Sequence, residues 1–280
     1  MARRIAFINE KGGSAKTTLV ANLAAHLALR RGRRVLAVDL DPQGQLAKVL
    51  GVEVRAGGPS AIELLLDEVL DDSALDRSAT ARGALPRVPT RIPGLDLIPA
   101  TKALGLIADW DPAADAGSAR LARAFQTPEL DAYDYVLIDS PPSFGGLTLN
   151  VLRAAEALVV PVPLTYLALD GCAELLRTVG TVRERFGHRE LHIAMVVPTF
   201  YRRTRMAAEL LDRLKARFPK EIAHTVVGYH VKIDESQSRG LSVVEYAPND
   251  RASLAMGALA EELELRVPPV ELRVPKVEQS

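Results

Sequence analysis

Glu10-Lys-Gly-Gly-Ser-Ala-Lys-Thr-Thr18 decides the fold of this chain. The run follows an apolar stretch, Ile5-Ala-Phe-Ile8, and precedes Leu19, Leu23 and Leu27 at helical spacing. Strand, glycine turn and helix together make a setting in which backbone N–H groups and a helix N-terminus hold phosphate. In such a loop Lys16 reaches the β- and γ-phosphates of a nucleotide and the Thr17 hydroxyl ligates Mg²⁺. Gly12, Gly13, Ser14, Ala15 and Thr18 complete the candidate cradle. The usual pattern, G-x-x-x-x-G-K-[ST], is broken twice: Glu10 stands at the first glycine position and Ala15 at the second. A second lysine, Lys11, precedes the glycine pair instead. The Cβ of Ala15 costs about 1–2 kcal/mol if the backbone there is left-handed, and almost nothing otherwise.

Working outward, apolar runs alternate with helical patterns. Strands are expected at 34–39, 95–98, 135–139, 157–162 and 191–197, and helices at 62–70, 117–126, 166–186, 204–217 and 250–264. Ser60 is a candidate cap for the 62–70 run, and 71–94 reads as an irregular insertion. Unalternating β-branched strands between helices imply an α/β fold: a twisted, mostly parallel sheet covered by helices on both faces. No linker separates two cores, so residues 1–265 read as one domain and 266–280 as a proline-containing tail.

Composition excludes several classes. The one cysteine, Cys172, rules out a disulfide framework, an iron–sulfur cluster or a thiolate zinc site. The five histidines (His26, His188, His192, His224 and His230) lack metal-ligand spacing. No apolar run approaches the roughly 20 residues that span a bilayer, and Met1-Ala-Arg-Arg leaves no room for a signal peptide, so a cytoplasmic protein is expected. The formal net charge is zero, so any affinity for nucleic acid must come from a local patch.

Ligands in such sheets bind at the carboxyl ends of strands. One strand ends Val38-Asp-Leu-Asp-Pro-Gln-Gly44, where two carboxylates at i, i+2 suit magnesium or water better than packing. Another ends Tyr135-Val-Leu-Ile-Asp-Ser-Pro-Pro-Ser-Phe-Gly-Gly146. Its Asp139 fits a carboxylate that binds Mg²⁺ through water. The Pro-Pro and Gly-Gly that follow mix fixed and free backbone, as a segment sensing a γ-phosphate requires.

The lysine-first loop resembles the deviant Walker A motif of the ParA/MinD family of dimerising ATPases. The runs at 39–44 and 139–150 resemble that family's D-x-D-P-Q-G and D-x-P-P-S-L-G-x-L-T-x-N motifs, with Phe144 for the leucine and with Thr148 and Asn150 retained. The resemblance reaches to about residue 265 and is weakest between 55 and 130. It implies ATP and Mg²⁺ as cofactors and a nucleotide-sandwich homodimer. Within it, Lys11 crosses to the partner's nucleotide, Asp41 orients the attacking water and Asp39 supports the magnesium shell. Lys11, Lys16 and Asp41 are therefore the catalytic candidates, with Thr17, Asp39 and Asp139 at the metal.

Val197-Pro-Thr-Phe-Tyr-Arg-Arg-Thr-Arg-Met206 resembles the chromosome-partition branch, and Pro198 is a further candidate for contact with the nucleotide. Between 198 and 220 seven basic residues face two acids. Met206, Leu210 and Leu214 read as a buried stripe, leaving Arg202, Arg203, Arg205, Arg213 and Arg217 as a basic face for DNA phosphates, with Arg239 a weaker candidate. The implied function is a slow, partner-stimulated ATPase. In its ATP state it holds double-stranded DNA without sequence preference and partitions a chromosome or plasmid with a ParB-like protein on the nucleoid. Alternatives are positioning of a protein cargo, a nucleotide-gated scaffold with little hydrolysis, and MinD-like membrane cycling. Prolines 268, 269 and 275 argue against the last by forbidding a continuous C-terminal helix. The tail repeats Glu-Leu-Arg-Val-Pro at 264–268 and 271–275, as an extended docking strand or a disordered end.

Overall fold

The computed structural model describes residues 1–66, 84–108, 115–143, 145–165 and 168–270. Seven strands form one sheet: β1 (Arg3–Phe7), β2 (Val35–Asp39), β3 (Val88–Pro89), β4 (Leu95–Ile98), β5 (Tyr135–Asp139), β6 (Ala157–Pro163) and β7 (His192–Thr199). Their order is β3-β4-β2-β5-β1-β6-β7, and every pairing is parallel except β3 with β4. All residues of β2, β5 and β6 are buried, which is why these strands read as continuous apolar runs.

Alternate strand residues feed two separate layers. Leu36, Val38 and Ile138 pack on one face with Val151, Leu175 and Leu210. Val35, Ala37 and Leu137 pack on the other with Leu19, Leu23, Leu27 and Leu259. The Lys16–Arg31 helix presents that leucine stripe at every fourth position. It stops at Gly32, whose left-handed backbone (φ 66°) lets its N–H bond the Leu27 carbonyl, a glycine C-terminus. Each buried leucine contributes roughly 1.5–3 kcal/mol relative to exposure, so this helix, and the loop at its start, are held firmly.

Three expectations need correction. Part of the supposed irregular stretch, Val88–Pro89, is an antiparallel edge strand, paired Val88 with Leu97 and Pro89 with Asp96. A two-residue edge with a proline carries no period for a sequence pattern to reveal. Ser60 does cap, with Glu63 closing a capping box, but the element is the short 3₁₀ turn Ala61–Leu64; residues 67–83 lie outside the described set. Met206 is half exposed, so the buried stripe of the Arg205–Arg217 helix consists of Ala207, Leu210 and Leu214. Phe144 and the tail from 271 also lie outside the described residues.

Candidate functional site

Parallel pairing aligns the carboxyl ends of β1, β2 and β5: Phe7 is level with Asp139, and Asp139 with Asp39. The loop leaving β1 therefore opens beside two carboxylates. Asn9 shapes its start. The Asn9 side chain accepts from the Lys11 backbone N–H at 2.8 Å and donates to the Pro161 carbonyl at 2.6 Å. Gly13 (φ 70°) and Ala15 (φ 79°, ψ 20°) are both left-handed, and Lys16 opens the helix directly after. The conformation that makes alanine costly at position 15 is thus the one adopted, at about 1–2 kcal/mol.

Lys16 is buried, and its ammonium donates to the Asn9 carbonyl at 3.1 Å. Burial pushes its pKa down, while the Asp139 and Asp41 carboxylates work in the opposite direction. Asp139 is fully buried; the Thr17 hydroxyl and the Lys16 ammonium lie close to its carboxylate, but neither oxygen has a partner at good hydrogen-bond geometry. Burial raises its pKa, opposed by the Thr17 hydroxyl and the Lys16 ammonium. An unpaired buried carboxylate is costly to keep, and a divalent cation is the natural partner for it. The residues present thus fit Mg²⁺ at Thr17 and Asp139. The hydroxyl of Ser14, also buried, is likewise unpartnered.

Asp39 differs from its neighbour. Its two oxygens accept from the backbone N–H groups of Asp41 (3.0 Å) and Leu46 (3.1 Å), so it shapes the turn into the Gln45–Val49 helix. Burial and the nearby Asp139 charge raise its pKa. Asp41 is partly exposed and accepts from the Gln43 N–H at 3.0 Å through one oxygen; among the described residues its other oxygen has no hydrogen bond. Lys11 is exposed, with its ammonium on the Thr165 hydroxyl at 3.1 Å. The segment after β5 is anchored at both ends. Ser140 donates to the Phe7 carbonyl through its hydroxyl (2.7 Å), and Thr148 donates to the Ser143 carbonyl. Asn150 bonds Gly146, Gly117 and Leu121, serving packing.

Pro198 is buried near the end of β7, and Thr199 donates to the Ser14 carbonyl at 3.3 Å, tying β7 to the loop. Beyond it, Ala15, Thr18, Phe200, Tyr229 and Asp234 line a cavity of about 100 Å³. Sequence reading missed this wall, Asn9 and Thr165. Asn9 could have been found, since it is a polar residue two places after the strand and two before Lys11; Val227–Asp234 carries no charge or glycine pattern that marks it. The arginines at 202, 203, 205, 213 and 217 are all exposed: 202 and 203 in the turn before the Arg205–Arg217 helix, the others along its length of about 20 Å. Arg205 pairs with Glu209 at 2.9 Å, and Arg202 lies over the Tyr229 ring at 5.6 Å. Arg239 sits on another element, stacked on Tyr246 at 5.0 Å.

Residues 2–193 match a family model described as an AAA domain. Over 265 residues the chain is 39% identical to the chromosome-partitioning ATPase Soj of Thermus thermophilus, covering 95% of this chain and 96% of that one. The chain belongs to the ParA/MinD-type P-loop ATPases. The cobyrinic acid a,c-diamide synthase of Mycobacterium smegmatis, solved with bound ADP and magnesium, is 31% identical, with a TM-score of 0.72 over 93% of each chain. Apo McdA of Cyanothece shares the fold at 21% identity, with a TM-score of 0.78 over 94% of this chain and 100% of that one. Among the described residues no helix is long and apolar enough to cross a membrane. In this ParA/MinD-type ATPase the loop, Asp139 and the β7 wall stand together at the carboxyl ends of the strands.

Proposed function

We propose that this ParA/MinD-type ATPase hydrolyses ATP to drive partitioning of a DNA cargo. The observation that carries the nucleotide reading is the buried, unpartnered Asp139 carboxylate beside the Lys16–Thr17 helix start. Thr17 and Asp139 would hold Mg²⁺, with Asp39 fixing the adjoining turn, and the ion would supply neutralisation of phosphate charge. Lys16 and the N–H groups of residues 12–18 hold the phosphates. Asp41, with one oxygen uncommitted, orients the attacking water. Two copies, each built from residues 1–265, close around the nucleotides. Lys11 leaves Thr165 and places a cation on the partner's γ-phosphate, the part an arginine finger plays in other NTPases.

The exposed arginines at 202, 203, 205, 213 and 217 hold double-stranded DNA by its phosphates, without sequence preference, and pairing doubles their number. Arg239, already stacked on Tyr246, adds to the edge of that surface. A ParB-like protein stimulates hydrolysis and releases the DNA, so the cycle runs on the nucleoid in the cytoplasm. The 39% identity to Soj across nearly the whole chain supports this reading over the diamide synthesis named for the Mycobacterium smegmatis structure.

The test is retention of duplex DNA with ATP, with ADP and without nucleotide. Retention is expected with ATP alone, falling steeply with salt. In Arg203→Glu/Arg205→Glu it should drop at least tenfold while ATP binding is unchanged. Equal retention in all three nucleotide conditions would remove the switch, and an unaffected double variant would move the DNA surface elsewhere.

A further inference from the structure

Among the described residues two non-glycines have left-handed backbone, Ala15 (φ 79°) and Phe200 (φ 55°), and both line the same small cavity. A bulky aromatic residue in that region is an outlier, held only where its surroundings over-determine it. The surroundings of Phe200 do so from both sides. Before it, the Thr199 hydroxyl is bonded to the Ser14 carbonyl, one residue from Ala15 in the phosphate loop. After it, the Tyr201 N–H bonds the Val227 carbonyl at 3.2 Å, and Tyr201 pairs with Gly228. Val227 itself donates back to the Pro198 carbonyl at 2.9 Å.

The next two residues are the exposed Arg202 and Arg203, and Thr204 caps the basic helix by accepting from the Ala207 N–H. Arg202 rests over Tyr229, which also lines the cavity. Six residues of chain therefore run from the phosphate loop's bond at Thr199 to the cap at Thr204, with the strained peptide inside that run.

We propose that Phe200 is a positioning residue through which a nucleotide in one subunit, diphosphate as well as triphosphate, fixes the placement of Arg202 and Arg203 before any pairing of subunits. This deepens the nucleotide and DNA readings above and rests on them. A ligand filling the cavity packs on Phe200 and Tyr229 and holds the left-handed peptide. Held only by the Thr199 and Tyr201 bonds, the strained peptide opens toward the extended region more often, and each opening re-aims the two arginines. Pairing then selects triphosphate, while the single-subunit step responds to occupancy alone.

Backbone hydrogen exchange on the full chain tests this with no nucleotide, with Mg-ADP and with a non-hydrolysable ATP analogue. Amides of 201–206 are expected to exchange at least ~5-fold more slowly with either nucleotide, alongside slowing in the loop at 11–18. In Phe200→Gly, which tolerates both conformations, 201–206 should exchange fast in all three conditions while 11–18 still slow. Phe200→Tyr should behave as the native chain. Slowing at 11–18 with no change at 201–206 in the native chain would overturn the proposal and spare the nucleotide reading. So would full slowing of 201–206 in Phe200→Gly. No slowing anywhere would sink both. Slowing at both segments without retention of DNA would support the coupling and remove DNA from the account.

Discussion

The two edges of the sheet treat buried charge in opposite ways. At the amino edge nearly every charged group has a partner. Glu264, buried, accepts from both Arg31 and Arg33. Arg266 bonds Glu262 and the carbonyls of 194, 220, 221 and 222, and Arg3 reaches Glu156 at 3.4 Å. Tyr135 donates to the Val267 carbonyl at 2.9 Å. At the carboxyl edge Asp139 and the Ser14 hydroxyl have no partner, and Lys16 has a single backbone carbonyl. A lone ring nitrogen, His26 Nδ1 near Gly257, is unpartnered too, but at the carboxyl edge the unmet groups gather around the phosphate loop, where a ligand completes the structure. One edge secures the fold; the other is kept incomplete for nucleotide.

That contrast breaks most sharply at Lys16. Lys16→Ala should weaken nucleotide binding at least 100-fold, about 3 kcal/mol, measured by calorimetric titration with Mg-ATP. Its unliganded melting temperature should move by only a few degrees, because the lost partner is one carbonyl bond. Near-native affinity would mean that the loop does not hold the phosphates.

Asp139→Asn is expected to separate stability from binding. Burial raises the native pKa of this acid, so the unfolded chain ionises first as pH rises from about 3.9. The native chain therefore loses stability between that value and the raised folded one, and the loss persists above it. The amide cannot ionise, so at pH 8 the unliganded variant should be more stable by about 1–2 kcal/mol, with no gain at pH 4. It should also lose the Mg²⁺ dependence of nucleotide affinity. A variant less stable at pH 8 would show that the carboxylate is not an unmet charge in the free protein.

At the paired edge the sign reverses. Burial alone would raise the pKa of Glu264, but the Arg33 and Arg31 guanidiniums hold it below the usual carboxylate range. Its contribution is present above about pH 4.3, the unfolded value, and is lost as pH falls through the lower folded one. Glu264→Gln should cost about 1 kcal/mol at pH 7, since both arginines are partly exposed, and nothing below the folded pKa. Nucleotide affinity should not change. Denaturant melts at pH 7 and pH 3 read the difference, and a change in affinity would join the two edges that the structure keeps apart.

The sequence made the site's local parts legible because each is a backbone event with its own residue types: glycines at the loop, acids at strand ends, β-branched runs between. It could not separate Asp39 from Asp139. Both end apolar strands, and only the fold brings the Asp41 and Leu46 N–H groups to one and none to the other. The close approach of Gly51 and Gly240 was equally hidden. Either Cβ would come within 2.8 Å of the other backbone, but the two lie 189 positions apart and neither flanks a motif. Met206 failed for a simpler reason: helical spacing fixes a face, not how far along the helix the neighbouring layer extends.

The smallest expected effect belongs to Ala15 in the phosphate loop. Its left-handed backbone is a strain kept inside the incomplete edge. Ala15→Gly relieves about 1–2 kcal/mol of that strain and returns roughly 0.5–1 kcal/mol as extra entropy of the unfolded chain. The net gain in unliganded stability is about 0.5 kcal/mol, a shift of 1–2 °C. The sharper measurement is Mg-ADP affinity, because relaxing residue 15 also frees the loop to sample conformations that do not bind. If strain at Ala15 pre-organises the cradle, the glycine variant should be slightly more stable yet bind no tighter. If it binds several-fold tighter, the alanine is a burden on binding, and the incomplete edge owes its form to tolerance rather than to pre-organisation.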